Sequence, residues 1–211
     1  MSRVSSPGWR LVGSFASWVV FTFAFLGLYQ SAGAVIGLGG FCASGGPYVI
    51  EVECPESVAL FAPGGIFGMF LGVGIAVFVA QGFGVLLTAW AWPILFVGLG
   101  LQFLFGAFTG VGVVSNAILA VMFIVMGLVP PFLSIRTTGI APDFLGTIDI
   151  EGRRFATGDR PNNPLRYSPV ARGEEVEPTA RDWALSLGVW AAAVALGAFL
   201  SFAAFRALSG G

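Results

Sequence analysis

Residues 57–135 read SVALFAPGGIFGMFLGVGIAVFVAQGFGVLLTAWAWPILFVGLGLQFLFGAFTGVGVVSNAILAVMFIVMGLVPPFLSI, 79 positions without an Asp, Glu, Lys or Arg. A helix crosses roughly 30 Å of hydrocarbon with about 20 apolar residues, each rising about 1.5 Å. The run is too long for one or two crossings and suits three. Shorter uncharged runs flank it, from Leu11 to Ile50 and from Trp183 to Phe205. Across the chain 56% of residues are hydrophobic and 10% charged, against about 25% charged in a typical soluble domain. These figures describe an all-α membrane protein, a polytopic bundle of about five transmembrane helices.

All ten cationic residues are arginine, which suggests a GC-rich bacterial genome. Their placement sets the orientation, because positive charge near span ends stays in the cytoplasm. Arg3 and Arg10 sit at the start of the chain, and seven arginines lie between Arg136 and Asp182. The loop 39–63 instead holds Glu51, Glu53 and Glu56 and no arginine. The N-terminus and the loop 136–182 are therefore assigned to the cytoplasm and the loop 39–63 to the outside of the plasma membrane. Passing from outside at residue 63 to inside at residue 136 takes an odd number of crossings, hence three.

The spans fall at about 11–37, 64–87, 94–108, 117–133 and 183–205. The first exceeds the hydrophobic core of a signal peptide, about 7–15 residues, and reads as a retained anchor. Trp90, Trp92 and Pro93 mark an interfacial turn after the second, since Trp favours the headgroup level. The third is short and glycine-rich, with a re-entrant segment as the alternative. The last opens on Pro178-Thr179 with Asp182 three residues on, a capping-box pattern. Five spans leave the tail 206–211 outside despite Arg206, so four spans stay open as the alternative.

Cys42 and Cys54 are the only cysteines. Both fall in the loop assigned outside, where an even count reads as a disulfide. Gly45-Gly46-Pro47 followed by alternation over Tyr48–Glu53 suggests a small external hairpin. On the cytoplasmic side, alternation over Thr147–Phe155 around Glu151-Gly152 predicts another short hairpin. Pro161, Pro164, Pro169 and Pro178 then punctuate an extended linker, and Arg153, Arg154, Arg160 and Arg166 are placed to touch anionic headgroups.

The most ordered pattern in the chain is Gly64, Gly68, Gly72, Ala76, Ala80 and Gly84, small residues at four-residue steps. Such spacing lets two helix backbones approach closely. A step of four exceeds the helical repeat of about 3.6, so the stripe winds by about 40° per step. Gly64, Gly68 and Gly72 are expected to face one helix, and Ala76, Ala80 and Gly84 another. Among intramembrane polar residues, Gln81 and Gln102 need hydrogen-bond partners and read as packing groups rather than pore lining.

The chain has no histidine and a net charge of −1. That removes histidine metal sites, bis-histidine haem and histidine acid–base catalysis, and leaves no basic field for nucleic acid. No nucleophile–base pair or metal cluster is spaced for work. The expectation is a non-enzyme without cofactor whose partners are the lipid bilayer and other membrane subunits or itself. It would be an accessory, scaffold or assembly subunit, the alternative being a small channel or carrier for a neutral or apolar solute.

Overall fold

A computed structural model describes residues 6–39, 42–43, 52–110, 112–138, 141–156 and 175–209. Its helices are α1 (Pro7–Gly37), α2 (Glu56–Ile75), α3 (Leu87–Phe108), α4 (Val113–Thr138), the short α5 (Ala141–Leu145) and α6 (Ala180–Leu208). A π-helical turn, Ala76–Ala80, extends α2. Among the described residues five helices are long and apolar enough to cross a membrane: α1, α2 with its π turn, α3, α4 and α6. Their outer faces carry bare hydrophobes such as Phe67, Phe70, Phe78 and Phe132, surface that only lipid or a partner can cover.

The helices alternate in direction. The start of α1, the end of the π turn, the start of α3 and the start of α6 share one end of the bundle. The disulfide, the turn at 109–110 and the end of α6 share the other, where the Ser209 hydroxyl meets that of Ser57 at 3.2 Å. The two ends of the described chain thus lie at opposite ends of the bundle. Local signals start the helices: Pro7 occupies the first turn of α1 after Ser6, whose hydroxyl accepts from the Trp9 amide. Thr179 and Asp182 close a reciprocal capping box on α6, each side chain accepting from the other's backbone N–H at 3.3 and 2.8 Å.

Helix α1 is the axle. It packs on α2, α3 and α6, and these contacts leave it far more enclosed than the other four. Glycines set how closely the backbones approach. A Cβ on Gly65 would lie 2.8 Å from the Ala24 carbonyl oxygen, and one on Gly72 3.0 Å from that of Ser17. Gly197 of α6 meets the Val19 carbonyl oxygen in the same way, at 2.7 Å. Helices α3 and α4 form a separate antiparallel pair, tightened at Gly100 and Gly127.

Prolines inside the spans free carbonyls that a bilayer cannot satisfy. Pro130 lacks the N–H that would bond the Met126 carbonyl, and the Trp92 indole N–H donates to that carbonyl at 2.9 Å. Trp92 is therefore inside a helix. Trp90, Trp92 and Pro93 mark no turn, because α3 begins at Leu87 and runs 22 residues. The break between α2 and α3 lies at 81–86. Helix α2 likewise begins at Glu56, not at residue 64.

The small-residue stripe resolves differently from its even spacing. Phe61, Gly65, Gly68 and Gly72 touch α1, at steps of four, three and four, which follow the helical repeat. Gly64 has rotated outward and nothing lies within 4 Å of its position for a Cβ. Ala80 is buried with its backbone N against Gly13 of α1, and Gly84 lies beyond the helix at φ 78° against the Ser14 hydroxyl. Both halves of the stripe therefore meet the same helix, α1.

The Cys42–Cys54 disulfide lies in the loop between α1 and α2. Beside it Ala43 donates to the Val52 carbonyl and accepts from the Cys54 amide, each at 3.0 Å. The proposed hairpin tip, 44–51, lies outside the described residues, as do Arg160, Arg166 and the proline-rich stretch 157–174.

Two outcomes follow. Gly72→Ile should lower the melting temperature in detergent by an amount equivalent to about 1–3 kcal/mol, the usual cost of overpacking, whereas Gly64→Ile should leave it within about 0.5 kcal/mol. Reducing the disulfide should cost about 3 kcal/mol, the chain-entropy value for a closed loop of about 15 residues, read by melting with and without reductant.

Candidate functional site

The polar chemistry of the bundle gathers where α2 breaks. The π turn ends with the Gln81 N–H donating to the Ala76 carbonyl at 3.0 Å, five residues back rather than four. Gln81 then takes a left-handed conformation (φ 55°) with its side chain buried. Non-glycine residues seldom adopt this conformation, and π turns often mark functional positions. Gln81 thus terminates the span rather than sitting inside it. Gln102 lies mid-helix in α3, its side-chain amide laid against Gly33 of α1 where any larger residue would collide with it.

A second segment, 141–156, covers the break. The Thr147 N–H donates to the Gly82 carbonyl at 2.8 Å, and the Leu86 N–H to the Asp143 carbonyl at 3.0 Å. The Trp90 indole N–H reaches that same Asp143 carbonyl at 3.2 Å, with its ring against Phe144. Gly146, at φ 85°, presses on the Gly82 and Gly84 carbonyls, a contact that leaves no room for a side chain. From within the bundle the Trp18 indole N–H donates to the Val85 carbonyl at 2.9 Å. Trp18 also packs edge-on against Phe21 and Trp190, so the break is tied to α1 and α6 together.

The cover folds back on itself around residues 149–152. The Asp149 N–H donates to the Arg153 carbonyl at 2.9 Å, the Phe155 N–H to that of Thr147 at 3.1 Å, and the Gly152 N–H to that of Asp149 at 3.1 Å. Asp149 is buried and holds Arg153 by an ion pair at 2.6 Å and its backbone N–H at 2.8 Å. That carboxylate keeps the exposed Arg153 guanidinium above its ordinary pKa, through the hydrogen bond first and charge second. Arg153 is thus committed to Asp149.

Under this fold lies Arg10, which is fully buried. Its Nη1 donates to the Ile150 carbonyl at 2.8 Å, while Nε and Nη2 have no hydrogen-bond partner among the described residues. Gly152, at φ 90°, lies flat on the guanidinium, and a Cβ there would come within 2.8 Å of three of its atoms. A buried cation with two unpaired donors is costly. The negative field of Asp149 and Glu151 partly offsets that cost.

Sequence reading singled out neither Arg10 nor Gly152 as a pair. The available signal was an arginine among apolar residues at the start of a span together with a glycine centred in an acidic turn. Among the described residues no three of His, Cys, Asp and Glu converge where they could hold a metal ion. No protein-family profile, curated protein or solved structure matches the chain.

Gly152→Ala should loosen the cover, because the substituted residue keeps a strained backbone worth about 1–3 kcal/mol and displaces the guanidinium. Hydrogen exchange of amides 146–156 should accelerate while the helices stay protected. Gly8→Ala, where nothing lies within 4 Å, should leave exchange unchanged.

Proposed function

We propose that this chain is a non-catalytic accessory or assembly subunit of a larger membrane complex, or a self-associating membrane protein, with α6 as its contact helix. The observation that carries this reading is on the outer face of α6. Ala184, Gly188, Ala191 and Ala195 are all exposed and stand at steps of four, three and four, so they form one straight stripe. A Cβ on Gly188 would meet nothing within 4 Å. The outer faces of α2 and α4 instead carry bulky side chains, among them Phe67, Phe70, Val121 and Phe132. Small residues in line on an otherwise bulky, lipid-facing surface are what a second helix needs for close approach. Gly65, Gly68 and Gly72 of α2 are already used against α1, and Gly64 and Gly74, the two that face outward, stand ten residues apart and form no stripe, which leaves α6 as the free stripe.

The arginine distribution and an oxidised cysteine pair support a cell-membrane setting in which the capped break faces the cytoplasm and the disulfide the exterior. A second reading, a small channel or carrier for a neutral or apolar solute, draws support from a cleft at the disulfide end. Extraction in mild detergent followed by native mass spectrometry tests the first. The chain should travel with a companion or a second copy, and Gly188→Leu should release it at unchanged melting temperature. A lone monomer from the native membrane would refute the association.

A further inference from the structure

The cleft at the disulfide end has a volume of about 470 Å³, within the range of small-molecule sites, about 300–1,000 Å³. It lies between α2 and α4, which hardly meet, and is backed by α1 and α3. Its mouth is at the level of Gly39 and Gly112, at the helix ends, and its floor reaches Leu28. Leu28 is nine residues before the end of α1, about 13 Å along the axis. The walls are apolar, with Leu28, Val35, Phe103 and Leu119 contributing from three helices. In a bilayer this is an apolar slot running inward from the headgroup level, along the direction in which lipid alkyl chains lie.

The polar groups in the slot say more. Asn116 lines it, and of the two hydroxyls Ser31 lies toward its depth and Ser115 at its mouth. Each has already given its proton within its own helix, Ser31 Oγ to the Gly27 carbonyl and Ser115 Oγ to the Gly112 carbonyl, both at 2.9 Å. What the two hydroxyls still offer is acceptor capacity. No charged residue is among the described lining residues. The described carboxylates near this end, Glu53 and Glu56, would repel a phosphate or carboxylate head, and Arg206 lies at the end of α6, which is not part of the slot.

We infer that this slot holds an uncharged amphiphile with one alkyl chain and a hydroxyl head, its O–H donating to the Ser115 oxygen at the mouth. The inference is independent of the α6 contact, since α6 contributes nothing to the slot.

The test uses the purified full chain in detergent and three photoactivatable probes carrying a diazirine in a sixteen-carbon chain: the alcohol, its methyl ether and its phosphate monoester. The alcohol should cross-link to peptides covering residues 28–36 and 112–119. It should do so at least about fivefold more than the ether, which lacks the donor, or the phosphate, which the nearby acids repel. Ala32→Phe and Ala62→Phe, which fill the slot from α1 and α2, should each cut that labelling at least about fivefold at an unchanged melting temperature. Peptide mapping of the unaltered protein decides the matter even if neither variant folds. Labelling confined to the outer faces of α2 and α4, equal labelling by ether and alcohol, or preference for the phosphate would each overturn the inference.

Discussion

Everything in this bundle depends on how closely other backbones come to α1. Four glycines from two helices, Gly65, Gly68, Gly72 and Gly197, put neighbouring main chain or Cβ atoms within about van der Waals contact of it. Membranes supply no hydrophobic force between helices, so association rests on dispersion and hydrogen bonds made at short range. The same closeness brings Gly13 against the backbone N of Ala80. That contact places the π turn, and with it the break at 81–86, beside Trp18 and Arg10. The architecture of the capped site is thus a consequence of packing several turns away.

The molecule divides into a trio, α1, α2 and α6, and a pair, α3 and α4. At the capped end the two are tied by the 81–86 connection and by segment 141–156, which bonds to both. Between them α1 meets α3 through Gly98 under Phe25, Gly33 under Gln102, and Gly106 under Ile36. At the disulfide end no comparable bridge joins α2 to α4 among the described residues, and the slot opens there.

Much of this was legible in the sequence, for reasons that differ by element. The helix count followed from the uncharged run and from where the arginines fall, because the cost of burying charge in lipid is large and simple. The α6 cap was legible because it is local: Thr179 and Asp182 need only each other. The turn at Trp90-Trp92-Pro93 failed because Pro and Trp are ambiguous in membranes. Each indole donates to a backbone carbonyl, that of Asp143 or of Met126, from within α3 and not from a turn. The four-residue stripe misled at Gly64 because a straight helical seam alternates steps of four and three. The α6 stripe was overlooked for the converse reason, since a four-three-four spacing hides in an alanine-rich segment. Arg10 under Gly152 was out of reach, as it joins residues about 140 positions apart through a backbone conformation that composition does not reveal.

The bond from Trp92 to the Met126 carbonyl has a consequence for variation. Pro130 creates the unpaired acceptor and Trp92 supplies its donor, so three positions on two helices serve one hydrogen bond. A related chain with an ordinary residue at 130 would close its own helical bond and free position 92 to become any apolar side chain. A chain that keeps the proline must keep a donor of indole length opposite it. Positions 92 and 130 should therefore change together across descent, and their joint history would register the α3–α4 pairing.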